Sequence, residues 1–404
     1  MYNHILIRYG ELSLKKANRN QFIKSVNTHI KNALKCFPNV TFESDYMRFY
    51  CILNGTDAKL VEDKLKMIPG IYSFSKVKRC DSDIEQIKSL ALDVLSQMDY
   101  QNKTFKVETN RADKLFPMTS LEITKEISRH LFKNIENLKA DVHHPDITIN
   151  VDVRKEGSFI YTDSTLGLGG LPSQTLGKAM LMISGGIDSV IAGIEVVKRG
   201  MDIEAIHYAS PPYTSDMALQ KVVDLLQVVT NYKKDARILL HVVPFTKIQD
   251  AIYQNIRDDY GITIMRRMMY RIAEKVAQNQ KALVIANGEN IGQVASQTLE
   301  SISVINEVTN MPIIRPLATL DKKDIIEKAY KYGTYEISIK PYEDCCTVFV
   351  PKHPQIKPRL DVAKSLENKI NYEELIDEAI SNIEHIVLTS DKNYQVIKDE
   401  EDFF

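Results

Sequence analysis

A chain of 404 residues, 44% hydrophobic and 26% charged, is too long for one simple core and too apolar for a disordered segment, so two or three globular domains are expected. No apolar run approaches the ~20 residues of a membrane span, the N-terminus lacks the basic-then-apolar order of a secretion signal, and five cysteines without framework spacing suggest a reducing cytoplasm. The net charge of −1 hides an acidic end: residues 366–404 hold 3 basic and 11 acidic side chains, leaving 49 basic and 42 acidic on residues 1–365, a mildly basic body that permits a polyanionic partner.

In chain order, Ile5, Ile7 and Tyr9 alternate with Leu6 and Arg8 as in a strand. Phe22, Val26, Ile30 and Leu34 then recur every four residues, one face of a helix. Residues 41–43 and 47–53 form a hairpin candidate around Ser44-Asp45. Residues 60–68 read as helix, closed by Pro69-Gly70, and residues 71–77 as strand. The order βαββαβ over residues 1–79 is that of a ferredoxin-like sandwich. A second unit, residues 80–165, reads as helix 84–98, strand 104–109, helix 120–134 and two strands, 146–154 and 158–165. Residues 166–177 carry 4 of the chain's 16 glycines and read as a linker.

From residue 178 to 404 strands and helices alternate, which implies a doubly wound parallel sheet with ligands at the carboxyl ends of its strands. Strands are expected at 179–183, 203–209, 238–243, 282–286 and from Ile313. Helices are expected at 189–198, 217–230, 266–278, 291–301, 322–332 and, at the acidic end, 372–386. Between the first strand and first helix stands Ser184-Gly-Gly-Ile-Asp-Ser189. Two glycines let the backbone approach an anion, and the amides of the first helical turn point at it. Ser184 and Ser189 add hydroxyls, and the spacing is not that of the Walker loop. Asp188 can cap the helix or hold Mg²⁺ beside a pyrophosphate.

This motif resembles the PP-loop of enzymes that split ATP between its α and β phosphates. With Arg8-Tyr-Gly-Glu-Leu12, Arg111-Ala-Asp-Lys114, Phe116-Pro117, Gly169-Gly-Leu-Pro172, Arg315-Pro-Leu317 and the run Asn287 to Gln297, the chain resembles tRNA 4-thiouridine synthetases over almost its whole length. The resemblance implies a ferredoxin-like domain, an RNA-binding THUMP domain and a PP-loop catalytic domain. It also implies ATP-dependent sulfur transfer to uridine 8 of tRNA. An ATP site follows at Met182, Ile183, Ser184, Gly185, Gly186, Ser189, His207, Tyr208, Arg266, Gly288 and Gln297. Arg266 is expected to open its helix and meet phosphate oxygens; with Arg267 beside it, the alternative is that either arginine is surface charge. Val190 stands where the family usually has proline.

The sulfur carrier implied is Cys345, with Cys346 as the alternative; Cys36 and Cys51 read as small core residues. Long members of the family carry a rhodanese-like domain that this chain does not show, so sulfur is expected directly from a cysteine desulfurase. A role in thiamine thiazole synthesis with a sulfur-carrier protein, and a homodimer, are further family expectations. No Cys-x-x-Cys or His-x-x-x-His pair suggests a metal site. For RNA, the candidates are Lys103, Arg111, Lys114, Lys125, Arg129 and Lys133. Lys125, Arg129 and Lys133 share one helical face that can track phosphates. A PP-loop ligase acting on a small carboxylic acid is the alternative activity, and it leaves the N-terminal 165 residues without a task.

Overall fold

The computed structural model describes residues 3–14, 17–44, 48–342, 351 and 353–396. The chain divides into two compact units, residues 1–170 and 171–404.

The first unit is built on a nine-stranded sheet. Its strands are β1 (His4–Arg8), β2 (Thr41–Ser44), β3 (Arg48–Ile52), β4 (Ser73–Cys80), β5 (Thr104–Arg111), β6 (Lys139–Ala140), β7 (Ile147–Arg154), β8 (Gly157–Tyr161) and β9 (Thr165–Leu166). Its helices are α1 (Arg19–Ala33), α2 (Ala58–Leu65), α3 (Ile84–Ser96) and α4 (Ser120–Asn134). Strand β1 lies between β3 and β4, antiparallel to both, with Ile7 opposite Phe49 and Phe74. The two expected small units share one sheet: β4 continues past β1 to pair with β8. The eight-residue β4 is long enough to serve both halves.

Helix α1 buries Phe22, Val26 and Ile30, the stripe read from the sequence. Helix α4 opens on a reciprocal cap, Thr119 with Glu122, which fixes its start at the expected residue. The glycine-rich stretch after β9 is not a free linker. Gly167 N and Gly169 N donate to the Tyr72 and Ile71 carbonyls, and beyond the division between units Thr175 N and Leu176 N donate to Gly200 O.

The second unit holds a six-stranded sheet in the order β14-β13-β10-β11-β12-β15. These strands are β10 (Lys178–Met182), β11 (Asp202–Ala209), β12 (Arg237–Pro244), β13 (Val284–Ala286), β14 (Ile313–Ile314) and β15 (Glu384–Thr389). The helices are α5 (Ile187–Lys198), α6 (Asp216–Thr230), α7 (Thr246–Asn255), α8 (Gly261–Asn279), α9 (Leu299–Asn306), α10 (Lys322–Tyr332), α11 (Tyr335–Ser338), α12 (Leu360–Glu367) and α13 (Tyr372–Ser381). Strands β10 to β14 are mutually parallel, as the alternation implies.

Three expectations fail here. The helix expected over 372–386 stops at Ser381, and residues 384–389 turn back as β15, antiparallel to β12. Ile386 and Leu388 are buried while Glu384, His385 and Val387 are exposed, a period of two that ends the helical one. Residues 291–298 are loop and a short 3-10 turn, not helix; the helix starts at Leu299, after Thr298 caps it by accepting from Ser301 N. Helix α8 begins five residues before Arg266, so Arg266 sits in its second turn. Fully buried Arg267 is structural: Nε donates to Glu367 across 2.7 Å and Nη2 to Glu307 across 3.1 Å.

Candidate functional site

The sheet order reverses at β10, whose neighbours are β11 on one side and β13 on the other, and a crevice at the carboxyl ends of the strands is expected there. A cavity of about 660 Å³ opens at that place. It is lined by Met182, Ile183, Ser184, Gly185, Gly186, Asp188, Ser189, Tyr208, Arg266, Gly288 and Gln297, so residues far apart in the sequence converge as expected.

His207 is the exception. Successive side chains along β11 face opposite sides of the sheet. The Tyr208 side chain therefore lines the cavity, while the His207 side chain lines a separate one with Thr214 and Glu384, its imidazole 3.1 Å from the Ile183 carbonyl.

The turn is closed from within. Ser189 Oγ donates to Ser184 O across 2.9 Å and accepts from Ser184 N, and Gly186 N donates to Ser184 Oγ. Ser189 is thus buried and holds the turn, rather than offering its hydroxyl outward. Val190 is fully buried in the first turns of α5, a position that asks only for packing. Asp188 does not cap α5, whose N-cap is Gly186. Its carboxylate instead accepts from Lys322 Nζ at 2.6 Å and from Gln293 Nε2 at 2.9 Å. Gly288 lies against that turn: a Cβ there would stand 2.5 Å from the Asp188 carbonyl carbon and 2.6 Å from Ser189 N.

Arg266 reaches the cavity from α8. It donates to Ser296 Oγ at 3.2 Å and to the buried carboxylate of Glu289, which also accepts from Arg315 Nε and, at 3.0 Å, from Tyr270 OH. Burial alone would raise the Glu289 pKa, but the guanidinium groups of Arg266 and Arg315 outweigh it and hold it below the ordinary value of 4.5. Gln297 Oε1 and Ser338 Oγ are buried at the cavity wall and have no partner among the described residues.

Glu289, Gln293, Lys322 and Lys221 were not singled out from the sequence. For Lys221 a signal existed: it shares a helical face with Ala218, Val222 and Leu225, all buried, so a lysine there needs a reason.

The RNA candidates lie on the first unit. Lys125, Arg129 and Lys133 are exposed on one face of α4, with Arg129 also paired to Glu126. Lys114 is exposed; Lys103 is half-buried and paired with Asp99 at 2.9 Å. Arg111 donates to Phe116 O at 3.0 Å, a bond that shapes its own turn.

Cys345 and Cys346 lie outside the described residues. Cys51 is buried, which pushes its thiol far up, and burial with Asp81 and Asp83 raises Cys80 to about 11. Cys36, expected in the core, is exposed, because α1 ends at Ala33. Among the described residues no His, Cys, Asp and Glu cluster could hold a metal ion, and no helix is long and apolar enough to cross a membrane.

A sheet of five parallel strands with one antiparallel edge, whose first strand runs through Ser-Gly-Gly-x-Asp-Ser into a helix, defines a PP-loop nucleotide enzyme. Family models match in order: the ThiI ferredoxin-like domain at residues 4–75, the THUMP domain at 81–163 and the thiamine biosynthesis protein ThiI at 174–372. A solved 4-thiouridine synthetase, in complex with RNA and ATP, is 38% identical over 96% of this chain and 100% of its own, with a TM-score of 0.85. The protein PH1313 from Pyrococcus horikoshii shares the fold at 22% identity and a TM-score of 0.60, over 82% of this chain and 99% of its own. The chain belongs to the ThiI family.

Proposed function

We propose that this protein is an ATP-dependent tRNA sulfurtransferase that converts uridine 8 to 4-thiouridine in the cytoplasm. The observation that carries the reading is the full-length likeness to a 4-thiouridine synthetase solved with RNA and ATP, laid over a cavity built from the expected residues.

The cavity fits a nucleotide. Its volume of about 660 Å³ lies in the ordinary range for ligand sites. The buried Gln297 Oε1, with no partner among the described residues, can accept from an exocyclic amine. The backbone at Met182 and Ile183, at the end of β10, and at His207 and Tyr208, close to the end of β11, supplies groups for the base edge. The turn at 184–186 with the α5 N-terminus faces the phosphates, and Arg266 adds a forked cation. Gly288 keeps the facing loop close enough to shape the pocket. The His207 imidazole turns to the Ile183 carbonyl, so its side chain is not offered to the nucleotide. Mg²⁺ is normally held by phosphates and one or two carboxylates, which Asp188 can supply once Lys322 or Gln293 gives way.

Uracil O4 is a poor leaving group. It attacks the α-phosphorus, the O4–P bond forms, the bond to the β-phosphate oxygen breaks, and pyrophosphate leaves with loss of the N3 proton. The turn stabilises the charge on the departing diphosphate. A persulfide on Cys345, or on Cys346, then attacks C4; the C4–O4 bond breaks and AMP departs with O4. A thiol must next cleave the S–S bond, leaving sulfur on C4 and a disulfide that a dithiol reductant reduces. A cysteine desulfurase supplies the persulfide sulfur. Transfer to a thiamine sulfur carrier and a homodimer belong to the same reading.

The test combines the protein, Mg-ATP, cysteine, a desulfurase, a dithiol and unmodified tRNA. Nucleoside mass analysis is expected to show 4-thiouridine, with tRNA-stimulated pyrophosphate release. Asp188→Ala is expected to abolish both, and Cys345→Ser to abolish the thionucleoside while ATP still binds. Pyrophosphate release indifferent to tRNA but stimulated by a small acid would replace this reading with a ligase.

A further inference from the structure

Lys221 stands on the apolar face of α6, only 6% exposed, and lines the cavity. Burying an ammonium is costly unless acceptors meet it. Here Nζ donates to the carbonyls of Lys340 at 3.0 Å and Tyr342 at 2.7 Å. Its stem rests on the phosphate turn: a Cβ on Gly185 would lie 2.4 Å from Lys221 Cε and 3.1 Å from Nζ. One side chain therefore touches the turn that faces the nucleotide and holds the backbone of residues 340–342. Ser338, 7% exposed, brings to the same cavity, from the same segment, a hydroxyl with no partner among the described residues.

In the sequence Tyr342 precedes Cys345 by three residues, and three extended residues reach at most about 11 Å. Where residue 342 is fastened therefore limits where the thiol can be delivered. We propose that Lys221 is a positioning residue for sulfur transfer. It ties the backbone at 340–342 to the Ser184–Gly186 turn, so that the chain leading to Cys345 starts at the place where uracil O4 is adenylated. Lys221 exchanges no proton and forms no covalent bond in either step. Adenylation depends on the turn and Arg266, whereas delivery of sulfur depends in addition on the tether. Loss of the ammonium thus separates the two half-reactions. The inference rests on the sulfurtransferase reading above.

The experiment measures tRNA-stimulated pyrophosphate release and 4-thiouridine in the same reconstituted reaction, on the full chain. For Lys221→Met, which keeps the stem over Gly185 and removes the donors, the yield of 4-thiouridine per pyrophosphate is expected to fall about tenfold or more, with pyrophosphate release reduced about threefold at most. Lys221→Arg, which can still reach both carbonyls, is expected to keep a ratio closer to that of the unaltered protein. If Lys221→Met does not fold, Lys221→Gln, too short to span both carbonyls, is read in the same way. An unchanged ratio, or parallel loss of both products, overturns the proposal. If the unaltered protein itself shows no tRNA-stimulated pyrophosphate release, the sulfurtransferase reading fails first, and the ratio test separates that outcome from failure of the tether.

Discussion

Lys322 Nζ donates to Asp188 Oδ1 across 2.6 Å, joining the first residue of α10 to the first turn of α5. Both side chains are partly exposed, at 43% and 21%, so the pair adds little to stability, about 0–1 kcal/mol. It does fix a cation and a carboxylate beside the Ser184–Gly186 turn. Lys322→Met is therefore expected to lower kcat/KM for 4-thiouridine formation by about tenfold or more. The thermal midpoint should move by no more than about 3 °C. Parallel kinetic and melting measurements check this; a large fall in melting temperature with normal kinetics would make the pair structural.

Gly288 offers a steric test of the same corner. A methyl there would meet backbone atoms of Asp188 and Ser189 at 2.5–2.7 Å, not the far end of a movable side chain. The loop after β13 must then lift away from the α5 N-terminus. Gly288→Ala is expected to weaken ATP binding by at least about tenfold, or ~1.4 kcal/mol, as read by calorimetric titration. RNA affinity should be unchanged, since the RNA candidates lie on the other unit. Unaltered ATP affinity would mean that this close approach does not shape the nucleotide site.

Much of this site was legible before the structure because the PP-loop is local: strand, glycines and helix are contiguous, and their roles follow from the geometry of one turn. The ends of α4 and α10 were legible for similar reasons; Thr119 with Glu122 marks one start, and Gly333 in the left-handed conformation closes the other. What sequence could not give was non-local. Lys221 is met by carbonyls at 340 and 342, and Glu289 by Arg266, Arg315 and Tyr270, all distant in sequence. Strand β15 is hard to read because the acidic helix before it ends without proline or glycine, and only Ser381-Asn382 marks the change of period.

Glu289 carries a pH prediction. Its carboxyl is only 3% exposed and is held below 4.5 by Arg266 and Arg315 against the opposing effect of burial. A group whose pKa is depressed on folding contributes stability above its unfolded value and loses it as pH falls through the folded value. The urea midpoint should therefore fall as pH drops below about 4.5. In Glu289→Gln that part of the fall should be absent, though Glu367, also held low, keeps a share of the acid dependence. At pH 7 the variant leaves two guanidinium groups short of their carboxylate and is expected to be less stable by about 3 kcal/mol. Denaturation curves at pH 7 and pH 4 decide it: equal losses at both would remove Glu289 from the acid response.

The exposed face of α4 tests the RNA reading independently of the nucleotide site. Lys125, Arg129 and Lys133 stand one turn apart on that face, and the helix buries Ile123, Ile127 and Leu131 on the other. Removing the three charges should therefore leave the core intact while weakening tRNA binding. Each cation that no longer meets a phosphate lowers the salt slope of log affinity by about 1, so the slope of the triple alanine variant should be shallower by up to about 3. Arg129 already has Glu126 as a partner, so its single substitution is expected to cost least of the three. Arg111→Ala should behave differently, because its guanidinium holds Phe116 O in the turn before α4: a fall in the melting temperature is expected along with any weakening of affinity. Binding isotherms at several salt concentrations, read beside melting curves, separate a phosphate-binding cation from a broken turn. If the triple variant keeps the full slope, tRNA meets this protein on another surface.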